Sequence, residues 1–225
     1  MIIKVLRNIE GPLGESIAGI DEAGRGPIIG PMVVAGVLIR QKFVNSLVEL
    51  GVRDSKKLSP KKRNELYDKI MLLADRVVVV YLDPKTIDRW VLRRKLNELE
   101  AKAIAKVVEY LSDAKEIIID TPSSPERFRE NLSRYIGNIE GLILESKADE
   151  KYVIVGAASI IAKVLRDREI NDIKRRLGID FGSGYPSDPR TMSMLKSIMK
   201  KDPTVVRWSW RTLKKFVYGR IDDFI

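Results

Sequence analysis

No cysteine and no histidine occurs in the 225-residue chain, and glutamine occurs once, as Gln41. Without cysteine there are no disulfides, no iron–sulfur cluster and no thiolate nucleophile. Without histidine there is no Ser-His-Asp triad and no imidazole general base. Ordinary structural zinc sites fall with both. Carboxylates, hydroxyls and amines remain for chemistry, with any hard cation that carboxylates can hold. No run of about 18 apolar residues is present, and the opening MIIKVLRNIEGPLGES lacks a signal-peptide core and cleavage site. A cytoplasmic protein is therefore expected. Scarce glutamine, absent cysteine and 32% charged residues resemble the composition of proteins from hot-growing sources.

Positive charge is in excess. Lys and Arg number 41 against 31 Asp and Glu, a net charge of +10 with a pI near 9.7. That balance favours a polyanionic partner, nucleic acid before an anionic membrane. The basic residues cluster at 53–57, 61–63, 93–95, 166–168, 174–176 and 214–215. Any one cluster reads equally as a solvated helix face. No basic amphipathic helix with an exposed aromatic face stands out, which weakens the membrane alternative. With 44% apolar residues, a chain of this length can bury a substantial core.

Residues 16–21 (SIAGID) read as a short buried strand, and 31–39 (PMVVAGVLI) as a second, with the Ala23-Gly24-Arg25-Gly26-Pro27 turn between them. Ser59-Pro60 opens a helix with Ser as N-cap and Pro at the first helical position. Residues 76–82 (RVVVVYL), 116–120 (EIIID) and 141–145 (GLILE) read as three more strands. Helices are expected from Leu96, over 125–135 and, as one long element, over about 149–177. Gly182–Pro189 is a loop, and two helices should follow, separated by Asp202-Pro203. Strands close in sequence at first, then alternating with helices, give an α/β fold with a mixed sheet and a helical C-terminal appendage.

Four carboxylates fall at the ends of these elements. Asp21 ends the first strand and Glu22 follows it; Asp120 ends the fourth; Asp149 opens the long helix after the fifth. In open α/β sheets, sites gather outside strand ends. If those strands are neighbours, the four carboxylates share one edge, and their repulsion calls for cations. Mg²⁺ or Mn²⁺ suits oxygen ligands, and two ions would support in-line attack on a phosphodiester. Taken singly, each residue also has an ordinary role: turn bonding for Asp120, helix-dipole complementarity for Asp149, an exposed turn position for Glu22. Asp21, between an apolar strand and a glycine-rich turn, is the hardest to explain that way.

Six ordered blocks now resemble one family. IAGIDEAGRGPIIGPMVVAGV (17–37), DSKKLSPKKR (54–63), IIIDTP (117–122), SKADEKYVIVGAASIIAKVLRD (146–167), GSGYPSDPRT (182–191) and VRWSWRT (206–212) are similar to the motifs of ribonuclease HII, in its archaeal and eukaryotic form. The resemblance implies an RNase H-like mixed five-stranded sheet flanked by helices, with a catalytic domain over 1–178 and a C-terminal helical region over 179–225 completing the substrate cleft. It implies metal-dependent cleavage of RNA in RNA–DNA hybrids and 5′ of single ribonucleotides in duplex DNA, leaving 5′-phosphate and 3′-hydroxyl ends, in DNA replication and repair. Asp21, Glu22, Asp120 and Asp149 match the family's metal-binding acids. Gly24, Arg25 and Gly26 match the tripeptide that senses the ribose 2′-hydroxyl, Tyr185 the tyrosine at the ribonucleotide–DNA junction, and Lys56 and Lys57 a substrate-contacting motif. Glycine on either side of Arg25 lets backbone approach a sugar, and backbone groups can bond a 2′-hydroxyl. Lack of histidine fits type 2 better than type 1 enzymes.

Ser159 and Lys163 fall on the AASIIAK helix, whose small residues read as packing rather than chemistry. The terminal YGRIDDFI places Ile221 and Phe224 at the spacing of sliding-clamp peptide anchors, but Tyr218 replaces the usual Gln and Ile225 an aromatic. These departures weigh toward a frayed or packed tail over a clamp contact. Two other classes stay open: an RNase H-fold nucleic-acid-binding protein without catalysis, against which the full acidic set argues, and a junction resolvase, which needs no 2′-hydroxyl sensor. A complete set of site residues within one chain makes a monomer the default.

Overall fold

The computed structural model describes residues 1–9, 11, 14–52, 58–137 and 141–213. Strands β1 (Ile2–Asn8), β2 (Ser16–Ala23), β3 (Met32–Arg40), β4 (Arg76–Leu82), β5 (Glu116–Asp120) and β6 (Leu142–Glu145) form one sheet in the order β1-β4-β3-β2-β5-β6. β1 through β4 pair antiparallel with their neighbours, while β5 joins β2 and β6 joins β5 in parallel. The expected mixed sheet is present with one correction: six strands rather than five. The addition is β1, in a stretch that carried no recognisable motif. Its Ile2, Ile3 and Val5 pair with the β-branched run of β4, so β4 is not left as an open edge.

Side chains alternate across the sheet, and each face meets a different set of helices. Val33, Ala35, Val37 and Ile39 of β3 pack with α1 (Val44–Glu49), α2 (Pro60–Leu73) and α7 (Val153–Leu177). Met32, Val34 and Leu38 face the other way, against α3 (Pro84–Val91), α4 (Leu96–Tyr110) and α5 (Pro125–Leu132). The N-terminal half of α7 is buried all round because it lies between the sheet and the outer helices, so it shows no amphipathic stripe. Gly19 of β2 allows this approach. A Cβ there would lie 2.5 Å from the backbone carbon of Ile154.

A side-chain cap starts α2 as read from sequence, and another starts a helix that the sequence reading lacked. Ser59 accepts from Lys62 N–H at 3.2 Å at the head of α2. Asp83 opens α3 in the same way, bonding Thr86 N–H at 2.8 Å. α1 and α3 were not expected, being short. The helix expected over 149–177 is two elements. α6 (Ala148–Lys151) ends at Tyr152, whose backbone is extended, and α7 starts afresh at Val153. The break lets α6 lie against β5 while α7 crosses β2.

After Gly178, α8 (Pro189–Lys201) is followed by two 3₁₀ turns, Pro203–Val205 and Arg211–Leu213. The second helix expected after Asp202-Pro203 does not form among the described residues. The region has its own core, in which Phe181, Leu195, Ile198 and Val206 pack with Ile28 and Ile29 from the β2–β3 turn and with the end of α7. It therefore rests directly on the glycine-rich turn. Among the described residues no helix is long and apolar enough to cross a membrane.

Candidate active site

The parallel pairing of β2 and β5 sets Ile20 beside Ile119, so Asp21 and Asp120 are the next residues on adjacent strands. Alternation from Gly19 and Ile118, which face α7, puts both carboxylates on the α7 side. Asp21 is buried and Asp120 partly so. Asp120 Oδ1 accepts from Ala148 N–H at 2.9 Å, which ties the end of β5 to the residue before Asp149. Lys147 enters that turn with left-handed backbone, φ 58°. Asp149 is buried in α6. The turn thus brings the fourth acid to the same edge.

Glu22 leaves on the opposite face, toward α4. Its Oε2 is enclosed and has no hydrogen-bond partner among the described residues. Glu100 of α4, fully buried, lies near enough to repel it, and bonds the guanidinium of Arg25. Among the described residues no three acidic side chains form a closed ion cage by themselves.

The electrostatics are those of acids held together against their charge. Burial, then the Asp120 charge, pushes the Asp21 carboxyl up to about 7. Burial, then Asp21, Glu100 and Asp120, pushes Glu22 well above the ordinary carboxylate range, with Arg25 opposing. Burial also raises Glu100 to about 7, against the pull of Arg25. Two groups on α7 work in the other direction for Asp21: a hydrogen bond from Ser159 and the charge of Lys163. Lys163 Nζ in turn donates to Ser159 Oγ at 2.7 Å. The small residues of this helix are buried, as the packing reading expects, and the Ser159–Lys163 pair adds a contact with Asp21 beyond it. The i, i+4 spacing of Ser159 and Lys163 on one helix face was the available signal. An enclosed, unpartnered carboxylate oxygen beside further raised acids is the donor set that a hard divalent cation fits.

Next to this edge opens a cleft of about 510 Å³, lined by Glu22, the Gly24-Arg25-Gly26 turn, Lys163, Arg166 and Tyr185, with Arg63 at its wall. Gly24 has φ +85°, and a Cβ there would lie 2.5 Å from Arg166 Cδ, so glycine is required. The buried Arg166 donates to Ser183 O at 3.1 Å and stacks 5.1 Å from the centre of the Tyr185 ring. Tyr185, held between these groups, stands across from Gly26; a Cβ on Gly26 would lie 3.6 Å from the ring. Gly24, Arg25, Gly26 and Tyr185 are thus brought together, and Arg63 and Arg166 join them from clusters that sequence marked only as basic. Lys56 and Lys57 lie outside the described residues, as does the tail with Tyr218, Ile221 and Phe224.

Comparison with known proteins bears on this geometry. The family model for ribonuclease HII matches residues 18–213. A ribonuclease HII of Pyrococcus abyssi is 45% identical over 204 residues, covering 88% of this chain and 90% of that protein. Among solved structures, the ribonuclease H2 of Pyrococcus horikoshii superposes with a TM-score of 0.81 at 41% identity, over 92% of this chain and 99% of that one. The Archaeoglobus fulgidus RNase HII, solved in complex with PCNA, gives 0.77 at 42% identity, over 87% and 95%. An RNase HIII, Bst-RNase HIII, solved with Mn²⁺, gives 0.78 at 25% identity, over 91% and 70%.

The raised carboxyls give a pH dependence. A carboxyl whose folded pKa exceeds its unfolded value stabilises the protein below the unfolded value, near 4, and that stability is lost as pH rises through the folded value, about 7 for Asp21. In EDTA, the thermal midpoint of Glu22→Gln should exceed that of the parent at pH 8, and the gap should close toward pH 5, where the parent's acids hold protons. A gap independent of pH in thermal melts would contradict this assignment.

Proposed function

Because the chain belongs to the ribonuclease HII family it is a type 2 ribonuclease H, and we propose that it cuts RNA in RNA–DNA hybrids and 5′ of single ribonucleotides in duplex DNA. The observation that carries this reading is the adjacency of Asp21 and Asp120 at one sheet edge to a cleft walled by Gly24, Arg25, Gly26 and Tyr185. Asp21, Glu22, Asp120 and Asp149 would hold Mg²⁺ or Mn²⁺, two ions with substrate bound. Such ions supply a water nucleophile and neutralise the charge that develops in an in-line displacement leaving 5′-phosphate and 3′-hydroxyl ends.

The chain's own groups do the rest. Backbone of the Gly24-Arg25-Gly26 turn meets the sugar and bonds the 2′-hydroxyl, the one group that separates RNA from DNA. Tyr185, stiffened by Arg166 behind it, offers its free side to the sugar at the junction with DNA. Arg63 and Lys163 meet backbone phosphates. Lys163 also offsets part of the acidic charge while Ser159 orients Asp21. Residues 1–178 then act as the catalytic domain, and 179–225 complete the cleft through Tyr185. An inactive nucleic-acid-binding protein would have no use for this costly set of buried acids.

A 5′-labelled duplex with one ribonucleotide, beside an all-DNA control, tests the reading. Cleavage 5′ of the ribonucleotide is expected with Mg²⁺ or Mn²⁺ and none with EDTA or with the control. Asp120→Asn should lower kcat by about 10³-fold or more while duplex binding is kept; unchanged cleavage would refute the catalytic assignment. The Ile221–Phe224 spacing, together with a relative solved in complex with PCNA, supports a clamp contact for the tail. Deleting residues 221–225 should then abolish pull-down by an archaeal sliding clamp, and failure of the full chain to bind one would exclude it.

A further inference from the structure

The chain returns to the glycine-rich turn almost 180 residues later. Ile29 and Val206 form an antiparallel bridge, Gly30 N–H donates to Val205 O at 2.8 Å, and Arg207 N–H donates to Ile28 O at 2.8 Å. The Arg207 side chain is fully buried. Its Nε–H donates to Gly30 O at 2.9 Å and its Nη1–H to Arg25 O at 3.1 Å. Its guanidinium lies 5.1 Å from the centre of the Trp210 ring, and Trp210 Nε1–H donates to Gly26 O at 3.0 Å. Asp88 of α3 holds the intervening turn by accepting from Trp208 N–H and Ser209 N–H, each at 2.9 Å.

A buried guanidinium bonded to neutral carbonyls is a costly way to fill space, since an apolar side chain would pack there without desolvating a charge. Burial, with Arg166 adding to it, pulls the Arg207 pKa down to about 9. What the arginine achieves is geometric. A trans peptide is planar, so the C=O of Arg25 and the N–H of Gly26 point in opposite directions. Drawing Arg25 O inward to Arg207 turns Gly26 N–H away from Arg207, in a turn that lines the cleft together with Tyr185. Trp210 fixes the following carbonyl. On α4, Glu100 and Asn97 grip the Arg25 side chain, the latter at 2.7 Å, so the residue is held at both ends.

We propose that Arg207, with Trp210, is the positioning residue that sets the peptide planes of the Arg25–Gly26 turn and thereby the preference for a 2′-hydroxyl over a 2′-hydrogen. This rests on the reading of that turn as the 2′-hydroxyl sensor. Lysine could not replace the arginine, because a single ammonium lacks the fork that spans two carbonyls.

The test compares affinities for a duplex with one ribonucleotide and for the same duplex in all-DNA form, with Asp120→Asn as background so that nothing is cut. Arg207→Lys should lower the ribo-to-deoxy affinity ratio by about tenfold, while all-DNA affinity changes less than about twofold. Trp210→Phe keeps a ring and removes one donor; it should lower the ratio less, and it decides the matter if Arg207→Lys does not fold. A merely structural role would weaken both duplexes alike. A background ratio well above one that neither variant lowers would overturn the proposal. A background ratio of one would instead overturn the 2′-hydroxyl reading on which the proposal rests.

Discussion

Repulsion among acids buried at the adjoining ends of β2 and β5 is the constraint on which the rest of the structure depends. Asp21 and Asp120 are neighbours by strand register, Glu22 follows on the other face, and Asp149 is brought in by a separate turn. Nothing in the burial of these groups is favourable for a bare carboxylate. The chain relieves the strain only in part, with Ser159 and Lys163 against Asp21 and Arg25 against Glu22. The remaining relief comes from protons at low pH or, in the functional reading, from divalent cations.

Placement follows from small residues. Gly19 lets α7 lie on β2 closely enough for Ser159 to reach Asp21, two residues farther along the same face. Gly24 makes room for Arg166, which supports Tyr185. Charge and recognition are therefore built from one strand and its turn, with Asp21, Glu22 and the Gly24-Arg25-Gly26 segment inside six residues. The sheet separates the two tasks: the α7 face gathers acids and their counter-charge, and the α4 face grips Arg25. The C-terminal region closes the arrangement from behind, through the core that Ile28 and Ile29 share with α8.

Much of this was legible in residue order. Strands β4 and β5 were read to the residue, because β-branched runs bounded by turn residues have few alternatives. The acids stood out because carboxylates at strand ends are costly without a purpose. β1 did not stand out, since Ile, Lys, Val and Arg intermixed over seven residues become a strand only by pairing with β4. The break at Tyr152 was hidden for a similar reason: nothing in the local residues forbids helix there, and packing against β5 decides it. The contact of Ser159 and Lys163 with Asp21, and the bonds of Arg207, did not stand out because those partners are set by tertiary contact.

The most direct measurement is calorimetry of Mn²⁺ binding to the free protein in two buffers of different ionisation enthalpy. At pH 6.5 the raised Asp21 and Glu22 hold protons that a cation must displace, so binding should release protons, and release should fall as pH rises past about 7, the value for Asp21. Binding without proton release at pH 6.5, or no binding below or above that value, would contradict the account of the acidic edge as a cation site.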